Sequence, residues 1–451
     1  MSQKSGELDK APTASWYALF ILFLAYTFSF IDRTILSLLV DPIKAGLGLT
    51  DTQVSLLHGL AFALFYTFLG IPIARLADTR SRKYIIASGI VVWSLMTAAC
   101  GLAGRFATLF LARVGVGVGE AALSPAAFSM LTDLFPKRQL GLAMGLYSMG
   151  VYVGAGLAFI VGGIAVQAAL ELGPITIVYV GEVAPWQLIF IAVGLPGIVV
   201  ALLMLSVREP KRKAAPSHQD ENALWAVFAL IAREPGTFLL HFIGFAAIGL
   251  IFNGFMAWLP SFFIRNYGLP VGQVGPLLGT LVMVFGSAGI VTGGLFSDRL
   301  LRAGHQAGPF ISARLAGAAL LPLCVAAPLV GSFWLSCGLF AAFFFFSAFP
   351  YSSAAAAIQM AAPPHLRAQM SAIYLFVLNL AGIGLGPTVI ALITDYGFSD
   401  TGKVGQSMAI VGAAAAPIAV MALHFACRPF VRSVEKRSAT EQAGAAISSP
   451  A

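Results

Sequence analysis

Residues 16–41, WYALFILFLAYTFSFIDRTILSLLVD, form one apolar run whose charges are Asp32, Arg33 and, at its far end, Asp41. About twenty apolar residues in α-helical form cross a hydrocarbon core of ~30 Å, so this run predicts a membrane-spanning helix with an acid and a base inside it. Working outward, eleven further apolar segments follow, near 53–74, 84–104, 106–134, 140–167, 186–207, 236–264, 271–296, 309–330, 332–357, 369–394 and 404–428. The whole chain has 451 residues, 59% of them apolar and 10% charged, with mean hydropathy +0.88. A soluble protein carries roughly a quarter charged residues. No ten-residue alternation of the membrane β-barrel kind is present. The chain therefore reads as all-α, because only a helix satisfies its own backbone polar groups in lipid.

The net charge of +8 does not point to nucleic acid, because the basic residues sit in short loops. Of the 27 Lys and Arg, twenty fall in the termini and even-numbered connections, and four (Lys44, Arg105, Arg265 and Lys403) fall in the odd-numbered ones. The remaining three, Arg33, Arg113 and Arg314, lie within helices. That bias predicts both termini in the cytoplasm. The polar N-terminus, MSQKSGELDKAPTAS, has no signal-peptide pattern, so the first helix is expected to be retained. The four cysteines lie in or beside apolar runs without metal or redox spacing, which makes them packing residues. No metal cluster, paired nucleophile and base, or phosphate-binding loop stands out, so an enzyme is not expected. Energy is expected from a proton gradient rather than from a cofactor. The short loops and the lack of an Asn-x-Ser/Thr sequon suit a bacterial plasma membrane.

The polar stretch REPKRKAAPSHQDEN, 208–222, splits six helices from six. The expected organisation is a bundle over 1–207, a cytoplasmic linker over 208–235, a second bundle over 236–428 and a disordered tail over 429–451. The halves repeat: ARLADTRSRK (74–83) follows the second helix and GLFSDRLLR (294–302) follows the eighth, each with an acid, Asp78 or Asp298, four residues beyond a small one. Internal duplication of this kind marks secondary transporters with a binding site between halves. A receptor or scaffold would not require it.

These motifs resemble the major facilitator superfamily. ARLADTRSRK is similar to that superfamily's small-x-x-x-Asp-Arg-x-Gly-Arg-Arg/Lys loop, departing from it at Ala74, Thr79 and Ser81. Arg113 to Ala121, RVGVGVGEA, resembles its fourth-helix pattern, and the fifth helix (GVYVGAGLAFIVGG from Gly150) lacks the antiporter proline. A closer resemblance is to the Spinster family, carried by FIDRTILSLLVDPIKAGLGLTDTQVSLLHGLAFALFY (30–66), the Arg113-to-Glu120 spacing and GLGP at 384–387. The resemblance spans roughly residues 17–428. It implies a twelve-helix, alternating-access carrier of lysolipid-like or sphingoid amphiphiles, coupled to protons. It also implies that Asp78 and Arg82 join a gating network that stabilises the outward-open state.

Ionisable residues at membrane depth are costly and face a cavity or a partner. At 1.5 Å per residue, Asp32 lies about 13 Å from the far end of the first helix and Arg113 about 10 Å from that of the fourth, so the two can meet. Glu120 points the same way as Arg113, roughly 10 Å further along. Burial raises a carboxyl pKa and an adjacent arginine lowers it. Asp32 and Glu120 are therefore the candidate coupled proton acceptors, and Arg33 and Arg113 the groups that bind those acids or an anionic head group. The alternative is a permanent salt-bridge network locking helices one and four.

The 220-residue offset maps Asp32, Arg33, Arg113 and Glu120 onto Phe252, Asn253, Phe333 and Phe340, and helix ten carries Phe343 to Phe346. One cavity wall would then be charged and the other apolar, as an amphiphile requires. The same phenylalanines could equally face lipid or neighbouring helices. Asn253, Ser347, Ser352 and Asn379 are the polar candidates on that side, as substrate contacts or interhelical hydrogen bonds. Asp78, Arg82, Lys83 and Asp133 are the gating candidates, since Asp133 opposes the dipole at its helix end and needs a cation. Arg314 is expected to snorkel, and His58 and His241 lack a pairing argument. The competing transport reading is a proton-coupled drug or organic-anion exporter. The expected partners are the substrate, protons and the bilayer, with one chain sufficient for function.

Overall fold

Each apolar run forms a helix. The computed structural model describes residues 11–177, 181–210, 212, 223–363 and 366–448. Twelve helices among them are long and apolar enough to span a bilayer. They are α1 (Thr13–Leu38), α2 (Asp51–Gly70), α3 (Arg82–Cys100), α4 (Phe106–Leu134), α5 (Gln139–Leu172), α6 (Pro185–Ser206), α7 (Pro235–Tyr267), α8 (Val271–Arg302), α9 (Gly308–Leu329), α10 (Phe333–Ala361), α11 (Gln369–Phe398) and α12 (Thr401–Arg437). All twelve predicted segments are present. The face on which α1 begins is called terminal below and the other distal. A short hairpin, β1 (Ile175–Ile177) and β2 (Gly181–Val183), joins α5 to α6 on the distal side.

The chain divides into two compact units, and their borders are not those of a simple split at the linker. The first unit holds Met1–Ser217, Met256–Met283 and Ala391–Val404, so it includes the distal ends of α7, α8 and α11. The second holds His218–Phe255, Val284–Ile390 and Gly405–Ala451. Within the first unit, α5 and α8 touch backbone to backbone, because a Cβ on Gly275 would lie 2.3 Å from the Phe159 carbonyl oxygen. Small residues permit such close approach in a bilayer, where no hydrophobic effect drives helices together.

One expectation is corrected. The tail from 429, expected to be disordered, continues α12 as one helix, Val404–Ser448; residues 449–451 lie outside the described residues. Its Ala, Glu, Lys and Arg are strong helix formers, and a helix already nucleated in α12 extends at little cost. The linker also contains structure: Ala223–Arg233 is helical, with Val227 buried and Trp225 and Phe228 exposed. α8 and α11 each carry π-helical turns, at Val282–Gly286, Leu380–Leu385 and Ile393–Phe398.

Candidate functional site

The RVGVGVGE run positions its two charged ends through its glycines. A Cβ on Gly117 would lie 2.7 Å from the Phe62 carbonyl oxygen of α2, and one on Gly119 2.5 Å from the Trp93 nitrogen of α3. α4 is therefore pressed against α2 and α3, which closes water out around it. On α5, a Cβ on Gly154 would lie 2.5 Å from the Thr27 carbonyl oxygen, which seats α1 against α5 nearly two turns before Arg33. Asp32, Arg113 and Glu120 are 2%, 1% and 1% exposed, so the predicted ladder is dry.

Its pairing differs from the predicted one. Arg33 Nε donates to Glu120 Oε2 at 2.5 Å, and the Ser29 hydroxyl donates to the same oxygen at 2.5 Å. Ser29 stands one helical turn before Arg33, a spacing that makes the two neighbours on one face. The Arg33 guanidinium lies over three rings, 4.9 Å from Phe30, 4.4 Å from Phe62 and 4.8 Å from Tyr66. Such aromatic faces stabilise a desolvated cation. Asp32 is turned instead toward α3, where Thr97 Oγ1 donates to its Oδ2 at 3.2 Å. Among the described residues, Asp32 Oδ1 and Glu120 Oε1 meet no donor. Arg113 does approach Asp32, but through the backbone: its Nη1 lies 3.4 Å from the Asp32 carbonyl oxygen and its Nε 3.4 Å from that of Leu57. One acid of the pair thus has an arginine on it and the other does not.

In the second unit Asn253 Nδ2 donates to the Gly249 carbonyl oxygen at 2.8 Å, one turn back in α7. Asn253 also sits where α7 meets α11, with a Cβ on Gly382 falling 2.9 Å from its Nδ2. Asn379 is half-buried at the start of a π-helical turn of α11. Ser347 is buried and donates to the Phe344 carbonyl oxygen; the Ser352 side chain lies outside the described residues. The phenylalanine run divides: Phe343 stacks on Phe255 with centroids 4.8 Å apart, and Phe344 is buried. Only Phe345 and Phe346 stay partly open. His241 packs among Phe242, Phe245, Phe310 and Tyr374, an aromatic core position. Arg314 pairs with His424 at 2.9 Å.

The gating candidates Arg82 and Asp133 meet as expected, at 2.5 Å. Arg82 is 1% exposed, and its fork also reaches Ser129 and the Pro210 carbonyl oxygen. The organising acid is one the sequence reading missed. Glu209, in the linker, accepts from Arg82 Nε at 3.0 Å, from the Ser81 hydroxyl and from the backbone nitrogens of Arg82 and Lys83. Its signal is the REP triplet just past α6, at the head of the polar stretch that separates the two sets of six helices. Lys83 Nζ reaches the Leu205 carbonyl oxygen, 3.1 Å away. The Asp78 side chain lies outside the described residues, and its counterpart Asp298 is exposed.

Partial burial pushes the Glu209 carboxyl up, but hydrogen bonds from Ser81, the Lys83 and Arg82 amides and the Arg82 guanidinium outweigh it and hold the pKa below the ordinary glutamate value. A depressed pKa stabilises the fold above the unfolded value, about 4.3, and that stabilisation is lost as pH falls through the folded value. Thermal unfolding of wild type and Glu209→Gln followed against pH should therefore differ at neutral pH and converge as pH falls through the depressed folded value.

Twelve spanning helices in one chain, with buried ion pairs and a charged network at a helix end, define a polytopic membrane carrier. The chain belongs to the major facilitator superfamily, whose family model matches residues 22–387. It is 29% identical to an MFS-type efflux pump of Mycolicibacterium smegmatis, over 89% of this chain and 90% of that protein. It is 28% identical to human protein spinster homolog 1 over 66% of this chain, a match spanning 57% of the human protein's length. Among solved structures it superposes on a bacterial homologue of the human lysosomal transporter Spinster, in an inward-facing, unoccupied conformation, with TM-score 0.77 and 27% identity, covering 94% of this chain and 99% of that one. It is a transporter of that superfamily and an integral membrane protein, not an enzyme, and it is similar to Spinster proteins.

Proposed function

We propose that this chain is a proton-coupled carrier of an anionic, lysolipid-like or sphingoid amphiphile. The observation that carries the reading is the unequal state of two neighbouring acids. Glu120 is buried and held by Arg33, while among the described residues Asp32, adjacent to Arg33 in sequence, accepts from Thr97 and no arginine side chain. A proton arriving on Glu120 frees Arg33 for an anion, and substrate leaving returns Arg33 to Glu120. The Glu120 carboxylate and an anionic head group thus compete for one guanidinium, and a proton on Glu120 favours the head group. Arg113, which among the described residues meets backbone oxygens and no carboxylate at hydrogen-bond distance, is the second anion-binding group. The ring collar of Phe30, Phe62 and Tyr66 gives a charged centre with apolar walls, which suits a head group joined to a tail. Likeness to Spinster proteins supports the same class. Asn253 and Asn379 are secondary substrate contacts, and Asp78, Arg82, Lys83 and Asp133 form the gate. The terminal face is cytoplasmic, the membrane is a bacterial inner membrane, and one chain works alone on proton-motive force without a cofactor.

The test is reconstitution in liposomes with an imposed pH gradient. Lysophosphatidylglycerol should move in a gradient-dependent way, and its tail-less head group, glycerophosphoglycerol, should not. Equal movement of both ends the amphiphile assignment. The second reading, a drug or organic-anion exporter, is favoured by the match to the mycobacterial efflux pump along nearly its full length. It is selected if cationic dyes or tail-less anions move and the lysolipid does not.

A further inference from the structure

The second unit carries basic side chains on an open face of α9 and α12 that transport, as proposed above, does not use. Arg314, on α9, donates from Nη1 to His424 Nδ1 of α12 at 2.9 Å. An arginine only donates, so Nδ1 accepts and the imidazole carries its proton on Nε2. Among the described residues no carboxylate pairs with Arg314, and His424 Nε2 meets no acceptor. The packing of the two helices builds this contact. A Cβ on Gly317 would lie 3.2 Å from Val420 Cγ2, and one on Gly412 2.3 Å from Cys324 Cβ. Gly317 and Val420 stand about one turn from Arg314 and His424, so the close approach of the backbones sets the two basic groups side by side.

Their depth and surroundings are those of a lipid interface. Arg314 is six residues into α9, about 9 Å from the terminal end of that helix. His424 is followed along α12 by Arg428 and Arg432, both exposed, at the next two one-turn positions. The basic strip therefore runs from acyl-chain depth toward the terminal-side head groups. Leu315, Met421 and Phe425, next to Arg314 and His424 along their helices, are exposed and apolar. On a spanning helix such a surface meets acyl chains, which are as apolar as leucine. The nearest acid along α12 is Glu435, eleven residues past His424 and about 16 Å from it along the axis. Glu234 is engaged by Ser433, Lys436 and Arg437.

We propose that Arg314, His424 and Arg428 hold the phosphate of an anionic phospholipid of the terminal-side leaflet, whose acyl chains lie along Leu315, Met421 and Phe425. A guanidinium that faces lipid without a counter-charge is costly. A phosphate supplies that charge and accepts from the guanidinium fork, with His424 Nε2 as a further donor. Basic sites between spanning helices near one interface suit such head groups. The lipid is a bound structural partner of α9 and α12 and not the cargo, since the site shares no residue with Arg33, Glu120 or Arg113. The inference depends neither on the transported substrate nor on protons.

The experiment is native mass spectrometry of the full chain in detergent micelles doped with equal amounts of dioleoylphosphatidylglycerol and dioleoylphosphatidylcholine. Wild type should retain one phosphatidylglycerol about tenfold in preference to phosphatidylcholine, a ratio worth about 1.4 kcal/mol. Arg314→Gln should abolish that preference, and Arg428→Gln should weaken it about fivefold. Arg302→Gln, at the exposed end of α8, should leave it unchanged. Excess glycerophosphoglycerol or inorganic phosphate should not displace the lipid, because neither has chains to lie on the apolar surface. Equal retention of the two lipids by wild type overturns the site, as does a preference that survives in both Arg314→Gln and Arg428→Gln. Displacement by phosphate alone overturns the lipid as occupant. If Arg314→Gln does not fold, Arg428→Gln, at an exposed position, carries the comparison, with a weakened preference supporting the site and an unchanged one overturning it.

Discussion

Glu120→Gln should reduce pH-gradient-driven transport by about a hundredfold while leaving folded protein in the membrane. Glutamine keeps the shape of the side chain and can still accept from Ser29, but it cannot carry the charge that holds Arg33. Removing one partner of a buried ion pair costs about 3–5 kcal/mol. The low end applies here, because Arg33 is 15% exposed and three aromatic faces remain to receive it. About 3 kcal/mol corresponds to roughly a hundredfold loss of the paired state. That state is the one from which Arg33 has handed over its anion, so turnover falls with it. The residual rate should respond less to pH than that of wild type, since Glu120 can no longer exchange a proton for Arg33. Initial rates in liposomes, with and without a gradient, measure both quantities. Full activity with an unchanged pH profile would leave the pair as a structural lock between α1 and α4.

The twelve spans were legible because their signal is length and composition, which the bilayer imposes on every spanning helix alike. The members of the buried ladder were legible for a related reason: charge at membrane depth is rare. Their pairing was not legible. Asp32 and Arg33 were placed at similar depth to Arg113, yet consecutive residues on a helix point about 100° apart. That turn sends Asp32 to Thr97 on α3 and Arg33 to Glu120 on α4. Depth follows from counting residues, whereas azimuth depends on how each helix is rotated, and here the glycines of α4 set it through contacts with α2 and α3. The phenylalanine run left both readings open for the same reason, because four consecutive residues necessarily face both into the packing and away from it. Glu209 escaped notice because it lies near a helix end, where charge is ordinary and sequence alone does not separate a solvated residue from a clamped one.

Arg82→Gln should lower the unfolding free energy by about 3 kcal/mol, a far larger effect than Lys83→Gln at the next position, which should stay within about 0.5 kcal/mol. Both are basic residues of one loop motif, and a charge count treats them alike. The geometry separates them. Arg82 is 1% exposed and spends its fork on Asp133, Glu209, Ser129 and the Pro210 carbonyl, joining α3, the end of α4 and the linker. Lys83 reaches one carbonyl from the surface, with its ammonium 5.2 Å from the Tyr84 ring centroid. Removing Arg82 leaves two carboxylates converging without their shared cation. They are 12% and 25% exposed, so water relieves part of the cost and the low end of the range applies. Arg82→Lys should fall between, since one ammonium cannot reach acids on both sides of the fork. Adding Glu209→Gln to Arg82→Gln should recover part of the loss, because it removes one of the two like charges that Arg82 bridged. Differential scanning fluorimetry of the four variants in detergent measures the order. If Arg82→Gln and Lys83→Gln shift the transition equally, the network is solvated loop charge and the gate lies elsewhere.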